Sequence, residues 1–182
     1  QIGLLPHAEI EAAFTDAMRR TGGLSLSSDA LQELAGTSMG HPYLVQLLGY
    51  YLVANTNDCG ISGDYELTVD EARSIAPYAL EAYRQRALAP LVSELSPLER
   101  NYLCGMAHTM GEERIADTSG VAAALSKGQQ QLSRARDGLL RRGIIIAPER
   151  GKVRFAIPYL RDYVQEEPSG NRVERLVEEW NV

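Results

Sequence analysis

A Gly-His-Pro turn, three histidines and two cysteines are the residues of this chain whose types invite a chemical reading. His7, His41 and His108 stand alone, none with a Cys, Asp or Glu at metal-ligand spacing, so no metal site is expected. Cys59 and Cys104 match no zinc or redox spacing. They read as two reduced thiols of a cytoplasmic protein. There is no G-x-S-x-G elbow to present a hydrolase nucleophile. There is also no G-x-x-x-x-G-K-[ST] loop, and Lys127-Gly128 has the reverse order, so the chain holds no loop to cradle nucleotide phosphates. No strand ending in an acidic pair suggests a Mg²⁺ site, and the carboxylates fall on helix faces or in caps. Taken alone, the chain is not expected to catalyse a reaction.

Charge supplies the second chemical signal. The net charge over 182 residues is −6, unevenly spread. Residues 1–90 hold 5 Lys and Arg against 11 Asp and Glu, whereas residues 127–154 hold 8 against 2. One basic segment in an acidic protein points to a localised anionic contact. Lys127, Gln129, Gln130, Ser133, Arg134, Arg136, Arg150 and Lys152 are the candidates, with Arg154 just beyond. Gln can read adenine edges and Arg guanine edges in a duplex major groove. No aromatic residues are interleaved with these cations, which argues against single-strand stacking. Arg141 and Arg142 also suit a helix C-terminus with no ligand at all. Duplex DNA and a docking surface for protein therefore both remain open.

The elements that must position these groups can be read from periodicity. Ile10, Ala13, Phe14, Ala17 and Met18 form one stripe of a helix over 6–20. Ser27 or Ser28 caps a second helix, with Leu31, Leu34 and Ala35 inward. Gly40-His41-Pro42-Tyr43 turns into a third, with Pro42 at the first helical position and Leu44, Leu47, Leu48, Tyr51 and Leu52 inward. Gly49 inside that helix suggests a close backbone approach. A loop is expected from Asn55 to Tyr65. Thr68 and Glu71 then make a capping box opening a long helix to about Leu95, with a break near Pro77 or Pro90. A second capping box, Ser96 to Glu99, opens a helix to about Thr109. After a polar connection over 110–117, Thr118 or Ser119 caps a short helix through Leu125, and residues 129–142 form the next. The period then changes to that of strands, with Ile144–Ala147, a turn at Glu149–Lys152 and alternation over Val153–Ile157. Helix returns over 158–166, and residues 171–180 fit one more. The expectation is a mainly α protein: a four-helix bundle over 1–92, a winged helix (helix-turn-helix with β-hairpin) over 93–167, and a helical tail over 168–182. The longest apolar run, Tyr43 to Ala54, is broken by Gln46 and too short to span a bilayer, so no membrane partner is expected.

Gly40-His41-Pro42-Tyr43-Leu44, the Ser96-Pro97-Leu98-Glu99 helix start, Leu139-Leu140-Arg141-Arg142-Gly143-Ile144-Ile145 and Phe155 to Tyr163 together, in this order, resemble the C-terminal half of AAA-type and STAND-type P-loop ATPases. That group includes archaeal-type and replication-initiator ATPases. The resemblance covers most of residues 4–166. It implies that the bundle is the lid of an ATPase and that ATP or ADP, with Mg²⁺, is bound mainly by a nucleotide-binding domain preceding this sequence. Gln1 in place of an initiator Met fits an excised fragment. It further implies that Gly40, His41, Pro42 and Tyr43 lie over the nucleotide, Pro42 near the adenine and Tyr43 in the sensor position. That position usually holds Arg, and Tyr43 cannot supply its charge. Relatives with a His-Asp pair at the end of the winged helix have here Ile157 and Pro158. The winged helix would couple nucleotide state to DNA or a protein partner. A stand-alone winged-helix transcription regulator with a helical effector domain is the alternative.

Overall fold

A computed structural model describes residues 3–21, 23–61 and 64–166, which are mainly helical with two small sheets. The chain divides into two units, Gln1–Ala87 and Leu88–Val182. The helix expected over 171–180 lies outside the described residues.

In the first unit, α1 (His7–Arg20) buries Ile10, Phe14 and Met18 at intervals of four. Ala13 and Ala17, expected inside, are exposed. A three-residue strand β1 (Leu24–Leu26) follows and runs parallel to β2 (Tyr65–Leu67), in the register Leu24 to Tyr65. Neither strand is legible in the sequence, because three residues give no alternation to count. Each leads directly into a capped helix. Ser27 accepts from the Ala30 N–H to start α2 (Ser28–Ser38), and the Thr68–Glu71 capping box starts α4 (Val69–Tyr83). The strand pair thus sets α2 and α4 side by side. Arg73 bridges to Glu33 across them at 2.9 Å, a partly exposed pair worth at most about 1 kcal/mol.

Between them in the sequence comes α3 (Pro42–Asp58), burying Leu44, Val45, Leu47, Leu48 and Leu52. Tyr51 and, on α2, Leu31 are only half-buried. The helix absorbs Asn55 to Asp58, where a loop was expected. Pro77 sits inside α4 without ending it. Near Pro90, however, the helix widens into a π-helical turn (Arg84–Leu88) before the short α5 (Ala89–Ser93). Proline removes a ladder N–H and crowds the preceding turn, which is the usual reason for such widening.

In the second unit, α6 (Pro97–Thr109) starts at the Ser96–Glu99 capping box and buries Tyr102, Leu103 and Met106. Next come β3 (Ala116–Asp117), α7 (Thr118–Ala124), α8 (Gln129–Arg141), β4 (Ile145–Ile146), β5 (Lys152–Phe155) and α9 (Leu160–Glu166). The strands form one antiparallel sheet in the order β3-β5-β4. The expected hairpin is β4–β5. The third strand, β3, lies in what was expected to be an irregular connection. Asp117, not Thr118 or Ser119, occupies the N-cap of α7, with no side-chain cap bond. The final helix begins at Leu160, not Pro158, because Tyr159 adopts a left-handed conformation at φ 61°.

Two helix glycines differ in what they permit. A Cβ on Gly138 of α8 would lie 2.8 Å from Glu99 Oε1, so this glycine lets α8 pass the capping box of α6. A Cβ on Gly49 would meet only Phe14 Cε1, at 4.0 Å, so no close approach explains it. Gly49→Ala should therefore raise stability by up to about 1 kcal/mol, the helix-propensity difference. Gly138→Ala should gain less than Gly49→Ala, because the Glu99 side chain must turn its Oε1 away from the new methyl while its Oε2 caps α6. Urea denaturation of both variants checks this ranking.

Candidate functional site

The Gly40–Tyr43 turn is built by a reversal of backbone handedness. Met39 and Gly40 take φ of 46° and 77°, ending α2 and swinging the chain into α3. The segment before α1 lies against this turn. Leu5 N–H donates to Gly40 O at 2.8 Å, and a Cβ on Gly40 would sit 2.9 Å from Leu5 O. Gly40 is thus required twice, by its φ and by the close strand of chain beside it. Leu4 and Met39 are exposed next to it.

Gly40 is buried, and His41, Pro42 and Tyr43 are half-buried. His41 occupies the N-cap of α3 but makes no capping bond, and Pro42 at N1 supplies the helix start. The His41 ring packs edge-on against Tyr83 with centroids 5.1 Å apart. Tyr43 lies 6.3 Å from the same ring. Tyr83, fully buried at the end of α4, is therefore the anchor of the turn. The sequence reading missed it, although Ala72, Ile75, Ala79 and Tyr83 fall at helical spacing. The Nδ1 atom of His41 is buried without a hydrogen-bond partner. Burial holds the imidazole below its ordinary pKa of 6.5, and the positive end of α3 acts in the same direction. His41 is thus a packed, neutral ring, and no cation stands in this turn.

In the second unit, α8 turns Leu132, Ala135 and Leu139 inward. Gln129, Gln130 and Arg134 are exposed, and Lys127 is exposed just before the helix. Ser133 is half-buried and donates its hydroxyl back to Gln130 O at 2.7 Å. Gln131 is occupied by capping, its Oε1 accepting from Gly128 N–H at 3.1 Å. The basic residues of 127–154 fall into two classes, apart from Arg141, which donates to Asp137 O of its own helix at 3.4 Å. Arg136 pairs with Asp137 at 3.2 Å, Lys152 with Glu149 at 3.1 Å, and Arg142 with Glu94 at 3.6 Å. Lys127, Arg134, Arg150 and Arg154 have no acidic partner among the described residues and are exposed. The turn between β4 and β5 is fixed by Gly151, at φ 80°, whose carbonyl accepts from Thr118 N–H at 2.8 Å. This bond joins the hairpin turn to the start of α7. At the end of the hairpin, Ile157 is half-buried and Pro158 buried.

Among the described residues no cluster of three or more His, Cys, Asp or Glu could hold a metal, and no helix is long and apolar enough to cross a membrane. Cys59 is exposed and Cys104 half-buried, its thiol donating to Val164 O at 3.8 Å, and neither forms a disulfide among the described residues.

Residues 85–164 match the model of a domain of unknown function, DUF8462. No curated protein sequence matches the chain. Two solved structures of Thermotoga maritima RuvB variants are similar to it. One has a TM-score of 0.40 at 15% identity, over 92% of this chain and 51% of that one. The other has 0.39 at 16% identity, over 91% and 51%. The chain therefore spans about half the length of these proteins. A superposition this loose carries no functional weight.

The depressed pKa of His41 has a direct consequence. The unfolded chain takes up a proton below about pH 6.5 while the folded ring resists it, so His41 favours folding above that pH and the advantage is lost as pH falls. Between pH 7 and pH 5 the wild type should lose more stability than His41→Gln, which keeps a polar side chain that does not titrate. Urea midpoints of both proteins across that range measure the difference.

Proposed function

We propose that residues 1–92 are the lid of a P-loop ATPase and residues 93–167 a winged helix that engages duplex DNA in response to nucleotide state. The observation that carries the DNA contact is the exposure of Gln129, Gln130 and Arg134 in the first half of α8, together with unpaired Lys127, Arg150 and Arg154. Three helices, a three-stranded β3-β5-β4 sheet and a polar outer face on the last helix are what a winged helix needs to enter a major groove. Gln and Arg supply bidentate base contacts, and the hairpin cations supply phosphate contacts. Arg136, Lys152 and Ser133 contribute less, being engaged within the protein.

Support for the lid lies in the Gly40–Tyr43 turn, where the leading segment, α2, α3 and Tyr83 converge. ATP or ADP, with Mg²⁺, is then bound by a domain outside this sequence. Pro42 and Tyr43 offer apolar surface to the base, and any charge that senses the γ-phosphate comes from elsewhere. His41, with its Nδ1 buried, positions the turn. In this reading the protein works in the cytoplasm.

Asp137 favours a second reading. It places a carboxylate on the exposed face of α8, where a DNA phosphate would be repelled, and a protein partner with a basic residue suits it better.

Titration of the chain with duplex DNA at two salt concentrations separates the two. Four free cations predict a log–log salt slope of about −3.6. Arg134→Glu should weaken binding and flatten the slope, and Asp137→Asn should tighten it. No binding at low salt overturns the DNA contact and leaves the protein-docking reading. For the lid, the coding sequence ahead of Gln1 decides. A strand–P-loop–helix there supports it. An initiator Met immediately before Gln1 refutes it and leaves the stand-alone regulator.

A further inference from the structure

Helices α1 and α3 leave an open groove of ≈ 720 Å³ between them. Small and apolar side chains line it, Ala13 and Ala17 from α1 and Gly49 and Val53 from α3. Ala13 and Ala17 belong by spacing to the apolar stripe of α1, yet the core takes only Ile10, Phe14 and Met18 from that helix. The stripe is wider than the core that uses it. Gly49, where an added Cβ would meet nothing nearer than Phe14 Cε1 at 4.0 Å, keeps the groove open without being needed for packing inside it. Tyr50 also lines the groove with 65% of its surface exposed, and its ring is braced edge-on by Tyr51 at 5.3 Å. A rigid exposed Tyr beside small residues is the usual make-up of an interface anchor.

Charge decides which partner fits. Asp58 lines the groove in the last turn of α3, where the carbonyl end of the helix adds partial negative charge. Glu9 lies one turn before Ala13 on α1. Asp16 is already matched by Arg20 at 2.6 Å. Residues 1–90 carry 5 basic against 11 acidic side chains. An acidic segment or a nucleic acid would be repelled here. Glycine and alanine in the lining let a helix axis come close, and helix-in-groove docking asks for an apolar face of this kind. We propose that the groove receives an amphipathic helix of a partner protein, its apolar face against Ala13, Ala17 and Gly49 and a Lys or Arg beside Asp58.

The test uses fluorescent model peptides of about 18 residues, about five helical turns. One has Leu on one face and Lys on the other, one has Glu in place of Lys, and one is the Leu/Lys composition scrambled so that no apolar face forms. The purified 182-residue chain should bind the amphipathic Leu/Lys peptide saturably and one to one, at least about tenfold more tightly than either control. Gly49→Leu and Ala17→Leu fill the groove from its two sides and should each weaken binding about tenfold or more. Asp58→Lys should weaken the Leu/Lys peptide and strengthen the Leu/Glu peptide. Circular dichroism melts report whether each variant is folded, and the two filling variants sit on different helices, so one misfolded protein does not remove the test. Equal binding of the scrambled peptide overturns the proposal, as does the absence of saturable binding. So does undiminished affinity in a folded filling variant.

Discussion

The first unit depends on one residue without a side chain. Gly40 closes α2, opens the way into α3 and accepts the Leu5 N–H, all within a left-handed backbone at φ 77°. Any other residue there meets both a strained φ and the Leu5 carbonyl at 2.9 Å. Because the turn is fixed, Pro42 can begin α3 at a set angle, and His41 and Tyr43 reach the Tyr83 ring. That aromatic contact joins the turn to the far end of α4, whose near end is tied to α2 through the β1–β2 pair. The unit is a loop of constraints closed at Gly40, and the surface proposed to face a nucleotide is a by-product of that closure.

Its consequences for chemistry are mostly subtractive. Neither Tyr43 nor His41 brings a positive charge to the turn, the latter because its ring is desolvated against Tyr83. What remains is an apolar, shape-determining surface. Elsewhere in the same unit an apolar stripe on α1 outruns the core, and the surplus lines a groove. The groove arises because α1 carries more apolar surface than its neighbours cover.

The second unit divides its charges in a way that a count conceals. Residues 127–154 hold 8 basic side chains, but Arg136, Arg142 and Lys152 have acidic partners within 4 Å and Arg141 donates to a carbonyl of its own helix. Exposed ion pairs of this kind add little to stability, yet they determine which cations a polyanion meets first. The unpaired ones lie at the start of α8, in its first half and along the hairpin, on elements held by the β3-β5-β4 sheet and the Thr118–Gly151 bond. Asp137, in the middle of α8, limits how anionic a partner this helix tolerates.

The sequence by itself determined those elements whose physics is local. The capping boxes at Thr68 and Ser96, the Pro42 start, and the stripes of α1, α3 and α8 are legible because capping and amphipathic periodicity act within a turn or two of chain. The hairpin was legible from its alternation. Tertiary structure alone decided the rest. Strands of two or three residues exist because a distant strand pairs with them, so β1, β2 and β3 leave no periodic trace. Whether Ala13 and Ala17 enter a core depends on which helix lies opposite, and the opposing α3 presents Gly49 and leaves them in a groove. The roles of Gly40, Gly49 and Gly138 also separate only in space. In sequence each is a glycine next to or inside a helix, but Leu5 O, open groove and Glu99 Oε1 are what their missing side chains would meet. What the residues singled out in the sequence can reach is set by the packing around them: Tyr83, 42 positions away, packs against His41, while the nearby Asp137 and Glu149 engage Arg136 and Lys152.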